Sequence, residues 1–102
     1  MKSYLTALVD KIVADAYTDN EVTGITFNDM SKLSVFNKHQ FLSTQPKQII
    51  GDKIKSVAEN EEKISIEFQS GASIEIHLDS QSWIGPEAIE LVLPNGQIII
   101  WN

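Results

Sequence analysis

Along the second half of the chain, apolar and polar residues alternate with a period of two. Ile64, Ile66 and Phe68 form one row, Ile74, Ile76 and Leu78 another, and Ile89, Leu91 and Leu93 a third, before the apolar run from Ile98 to Trp101. Ile25 and Phe27, then Leu33 and Val35, show the same alternation earlier. Period two with one apolar face predicts half-buried antiparallel strands. Ile49 to Ala58 predicts a further strand, in which Ile54 and Val57 have opposite parity and require a bulge if both face the core. The N-terminal stretch has another period. Leu5, Leu8, Val9, Ile12 and Ala16 recur at steps of three and four, one stripe of an amphipathic helix. Ser3 is placed to cap it, and Asp19, Asn20 and Gly24 mark its exit. The expected fold is α+β: an N-terminal helix over about residues 3–18, packed on a mostly antiparallel, hairpin-built sheet over about residues 22–102. Its 102 residues and 42% apolar content fit one domain, 1–102, with one core.

The rows also set out hairpins. Ile25-x-Phe27-x5-Leu33-x-Val35 matches Ile66-x-Phe68-x5-Ile74-x-Ile76 at an offset of 41 residues. Strand alternation alone produces such matches, so no duplication is read from it. Leu91-x-Leu93 and Ile98-x-Ile100 form a third unit around Asn95-Gly96, the preferred pair for a type I′ turn. Pairing Phe68 with Ile74 sets Glu67 opposite Glu75, two like charges that a solvated face or a cationic partner would have to accommodate. The last strand is apolar on both faces, which predicts either cover from the helix or a patch open to a partner.

Charge divides the chain. Residues 1–55 carry seven lysines against six acids, whereas residues 56–102 carry Lys63 alone against eight acids, within a total of −6. There is no arginine, so nucleic-acid binding is not expected. An acidic half steers cationic partners, and it equally keeps a sheet soluble and its edges unpaired. With no cysteine there are no disulfides or thiolate metal sites, which suits a reducing compartment. No apolar run reaches the length of a membrane span. Asp10, Lys11 and Asp15 interrupt the N-terminal one, so neither a span nor a secretory signal is expected and the cytoplasm is the expected address.

Candidate chemistry is sparse. His39 and His77 have no metal-ligand spacing, no phosphate loop occurs, and no nucleophile–base pair is evident, so no metal, cofactor or enzymatic activity is expected. The expected partner contacts are the acids Glu67, Glu75, Asp79 and Glu87, with Trp83 as an apolar anchor. Trp83 lies in Ser82-Trp83-Ile84-Gly85-Pro86-Glu87. That loop reads either as a plug for one end of the core or as an interface hot spot.

Several pieces resemble small immunity proteins of bacterial contact-dependent growth inhibition and related polymorphic toxin systems. They are Ile25-Thr26-Phe27, Leu33-Ser34-Val35-Phe36-Asn37, Gly51-Asp52-Lys53-Ile54, Ile66-Glu67-Phe68 and Ile74-Glu75-Ile76. The most particular are Gly85-Pro86-Glu87-Ala88-Ile89 and Asn95-Gly96-Gln97-Ile98-Ile99-Ile100-Trp101. The resemblance implies a cytoplasmic protein that binds and neutralises one cognate toxin domain; it names neither the toxin nor the binding residues. An acidic face suits a cationic, nuclease-type toxin. The alternatives are a self-associating module, a homodimer through the apolar last strand, and a small-ligand-binding domain without catalysis.

Overall fold

The computed structural model describes residues 4–19, 21–78 and 88–101. The helix expected over residues 3–18 is not there. The described part of that stretch is a 3-10 turn, Tyr4–Leu8, followed by strand β1, Val13–Asp19. No α-helix occurs among the described residues, and the fold is antiparallel β rather than α+β. The helical period has a local cause. Leu5 and Leu8 stand one 3-10 turn apart and are fully buried. Val13 and Ala16 both face the core because the register shifts between Val13 and Asp15, a bulge that reverses strand parity. Val9 and Ile12, which complete the apparent stripe, are 36% and 39% exposed.

The remaining elements are β2 (Val22–Phe27), β3 (Lys32–Val35), β4 (His39–Leu42), a second 3-10 turn (Pro46–Ile49), β5 (Ile54–Glu59), β6 (Lys63–Phe68), β7 (Ser73–His77), β8 (Ile89–Val92) and β9 (Ile98–Trp101). They form two sheets with strand orders β1-β2-β3-β8-β9 and β4-β7-β6-β5. Their inward residues meet in one cluster. Ile25, Phe27, Leu33, Val35, Ile89 and Leu91 come from the first sheet, and Ile54, Ile64, Ile66, Phe68, Ile74 and Ile76 from the second. Leu5, Leu8 and Ile49 of the two 3-10 turns join it. Each such side chain contributes about 1.5–3 kcal/mol by leaving water, which is what drives the sheets together. The bulge expected in β5 is present as a register shift between Ile54 and Ser56.

The hairpin registers depend on a turn that alternation does not reveal. Phe68 N–H donates to Ala72 O (2.9 Å) and Gly71 N–H to Phe68 O (3.0 Å), with Gly71 at φ +95°. This closes a three-residue loop whose last position is left-handed, the natural place for glycine. The expected five-residue loop is therefore wrong by two residues. Ile66 pairs with Ile74, Glu67 with Ser73 and Ser65 with Glu75. Phe27 and Leu93 close their hairpins with the same pair of bonds, so the Asn95-Gly96 turn is also a three-residue loop and not type I′.

The match at an offset of 41 reaches well beyond the hairpins. Both 3-10 turns, both bulged strands and both hairpins recur at that spacing, from residues 4–37 to residues 45–78. Left-handed Asp10 and Met30 recur as Gly51 and Gly71. Bonds between the halves are reciprocal. Asp10 N–H donates to Ile54 O and Gly51 N–H to Val13 O, each at 2.8 Å; Ile54 N–H donates to Lys11 O (3.0 Å) and Val13 N–H to Asp52 O (2.9 Å). Such reciprocity is the mark of an approximate two-fold axis. Ile12 and Lys53, equivalent positions, bridge each other on it. The halves also exchange a strand. β4 follows β3 but pairs with β7, and β8 pairs with β3, so His39 and Ile89 occupy equivalent places beside Ile76 and Val35.

Candidate functional site

The second sheet carries the acidic surface. Its outward residues on β6 and β7 are Lys63, Ser65 and Glu67, then Ser73, Glu75 and His77. Glu67 is exposed, opposite Ser73 on one side and Ser56 on the other. Glu75 is half-buried between Ser65 and Gln40, and accepts a hydrogen bond from Lys63 Nζ at 3.1 Å. The expected face-to-face Glu67–Glu75 repulsion is thus absent, because the Gly71 turn moves the strands by two residues. Beyond β5, the side-chain oxygen of Asn60 accepts the N–H groups of Glu62 (2.8 Å) and Lys63 (2.9 Å). Asn60 N–H in turn donates to Lys63 O (3.0 Å). This fixed turn holds Glu59, Glu61 and Glu62 in solvent. Among the described residues no ion pair engages these three or Glu67, since Lys63 is committed to Glu75.

Asp79, Trp83 and Glu87 lie outside the described residues. The chain on either side of them meets at one residue. Asn37 Nδ2 donates to His77 O (2.8 Å), and Asn37 N–H donates to Ala88 O (3.2 Å). Asn37 is fully buried, and its Oδ1 has no hydrogen-bond partner among the described residues.

A polar chain joins the two sheets beside Asn37, and sequence reasoning missed it. Thr18 Oγ1 lies 2.9 Å from Thr23 Oγ1, which lies 2.5 Å from His39 Nε2. His39 Nδ1 lies 2.7 Å from Asn37 O. A carbonyl only accepts, so in the neutral imidazole Nδ1 donates, Nε2 accepts from Thr23, and Thr23 accepts from Thr18. The equivalent positions across the axis, Ile64 for Thr23 and Ile89 for His39, are fully buried isoleucines. A hydroxyl on an oriented imidazole has the form of a nucleophile and its base. Thr23 has no exposed surface, however, and the pair reads as a buried polar tie between the sheets. The only sequence signal was that Thr23 and Ile25 share parity on a strand whose inward face is otherwise apolar.

Near the axis, an open cavity of about 280 Å³ lies among Ala7, Val9, Asp10, Lys11, Ile12, Asn28 and Asp29. That volume falls just short of the roughly 300 Å³ at which small-ligand pockets begin. Burial pushes the Asp29 carboxyl up, but hydrogen bonds from Lys11 and from Ser31 outweigh it and hold the group at about 2. No group of three or more metal-capable side chains gathers among the described residues. No described helix is long and apolar enough to cross a membrane. Comparison with protein-family models, with curated proteins and with solved structures returned no match.

Proposed function

We propose that this protein is a binding protein of the immunity type, which holds and blocks a cationic toxin domain in the cytoplasm without catalysis. The observation that carries the reading is the fixed acidic turn. Glu59, Glu61 and Glu62, with Glu67 on the adjoining face, are exposed carboxylates that no ion pair engages among the described residues. Preorganised exposed carboxylates of one sign accelerate encounter with a basic protein and fix its orientation. The resemblance of the strand segments to immunity proteins supports the same class.

The test is association with candidate cationic toxin domains, measured across a salt series for wild type and for Glu59→Gln/Glu61→Gln/Glu62→Gln. The triple variant is expected to associate about tenfold more slowly at low salt, with a flatter salt dependence. An unchanged rate and slope would remove the acidic turn from the interface and the reading with it. Glu67→Gln is expected to leave stability within about 0.5 kcal/mol, since no like charge faces it.

A second reading, self-association, is favoured by one feature. Among the described residues β9 is the outermost strand of its sheet, and Ile98 and Ile100 are 57% and 45% exposed. Light scattering decides: a salt-insensitive dimer that Ile100→Lys dissociates would establish it.

A further inference from the structure

The two sheets differ by one strand. In the first, the outer edge of β8 is covered by β9, with Leu91 paired to Ile99 and Ile89 to Trp101. In the second, β4 occupies the place of β8, and no described strand lies beyond it. We propose that this open edge of β4 is the docking site for an extended segment of a partner polypeptide, added antiparallel as a further strand.

The hydrogen-bond pattern prepares the edge. His77 N–H donates to Lys38 O (2.9 Å), just as Phe36 N–H donates to Ala88 O (2.9 Å) across the axis. This makes Gln40 and Glu75 the hydrogen-bonded pair and turns the N–H and C=O of His39 and Phe41 away from β7. These groups correspond to those of Ile89 and Leu91 that β9 engages. Burial agrees: Ile89 and Leu91 are fully buried, whereas His39 and Phe41 are only half-buried. The chain itself is committed elsewhere, because Ser43 turns at φ 62° and Pro46–Ile49 forms the second 3-10 turn. The edge is also unguarded. β1 and β5, the other edges next to the axis, each carry a bulge and charged residues, whereas His39–Leu42 carries neither.

β9 indicates the occupant. The docked strand has large apolar residues at the inward positions opposite His39 and Phe41. The solvent-facing residue opposite Gln40 favours lysine or arginine, because the chain carries a net −6. A second copy fits poorly, since a four-residue edge offers little area and each copy carries −6. The site goes beyond the acidic turn and can fail separately from it.

The probe is a capped peptide, Lys-Gln-Lys-Ile-Lys-Trp-Asn, which is residues 96–102 with lysine in place of Gly96, Ile98 and Ile100. A control peptide also has lysine in place of Ile99 and Trp101. By amide NMR of the full chain, the first peptide is expected to shift Gln40 and Phe41 saturably and to slow exchange of the Phe41 amide by about tenfold or more. The control is expected to do neither. Phe41→Pro deletes the outward N–H at a position where an edge strand tolerates proline, and is expected to bind about tenfold more weakly than Phe41→Ala, which keeps it. Equal binding of the control, equal loss in both variants, or a Phe41 amide already protected in the free protein would overturn the proposal. If Phe41→Pro does not fold, the wild-type exchange measurement decides.

Discussion

Residues 4–37 and 45–78 share one backbone and use it differently. Both bury an aliphatic residue at the end of the 3-10 turn (Leu8, Ile49), another before the bulge (Val13, Ile54), and the same four hairpin positions. Elsewhere they part. Lys11 is ion-paired to Asp29 where the second half has Asp52 accepting from Ser70. Thr23 and His39 stand where the relation across the axis has Ile64 and Ile89, and Met30 takes the left-handed turn position that Gly71 holds opposite. The difference teaches that a few apolar positions and two bulges suffice for the architecture. The residues between them are free to take on polar ties and charge, and it is there that the halves become distinct.

The junction between sheets separates the halves most strongly. Ile64→Thr puts a hydroxyl into the apolar junction without a partner, and is expected to destabilise by about 2–4 kcal/mol in denaturant titration. Thr23→Val leaves His39 Nε2 without its donor and is expected to cost about 1–2 kcal/mol. Equal, small costs would mean that the two junctions are interchangeable. Asp29→Asn comes next. The Asp29 carboxyl is held below its ordinary value, so its contribution is fully present above about pH 4 and is lost as pH falls towards 2. With 40% of the side chain exposed, solvent screening reduces the effect to on the order of 1 kcal/mol at neutral pH. The stability difference between wild type and Asp29→Asn should close on acidification; one that persists at pH 2 would assign it to lost packing. The smallest effect is in the turns. Met30→Gly relieves a left-handed side chain at φ 75° and is expected to stabilise by about 0.5–1 kcal/mol, whereas Gly71→Ala should destabilise by about 1 kcal/mol. Thermal melts of both compare the two turns directly, and a destabilised Met30→Gly would break the equivalence.

What could be read from the amino-acid order follows from these features. The rows through Ile25, Ile66, Ile74 and Leu91 were legible because each faces a single core, and the β5 bulge was legible because Ile54 and Val57 disagree in parity. In β1 the same bulge, with the 3-10 turn before it, imitates a helical step and hides the strand. Register was illegible because alternation is unchanged by a two-residue slip, and only the left-handed Gly71 decides it. β4 escaped notice because His39-Gln40-Phe41-Leu42 is too short to show a period. Of the candidate site, alternation reveals the outward face of Glu67 and Glu75 but not their pairing; Asn60, which fixes the acidic turn, leaves no signal beyond its own turn propensity.

The exchange of β4 and β8 also governs the order of events when the protein is made. A chain emerging N-terminus first can pair β3 with β2, but β8, which covers the other side of β3, and β7, the neighbour of β4, are still to be synthesised. The first half therefore cannot settle as a unit. β4 has to wait unpaired until Ser73–His77 arrives, and β3, paired with β2 on one side, keeps its other edge open until Ile89–Val92 arrives. Closure of both sheets becomes a late and strongly non-local step, slower than the local hairpins allow, and the interval before it is when the chain is most exposed to wrong pairing.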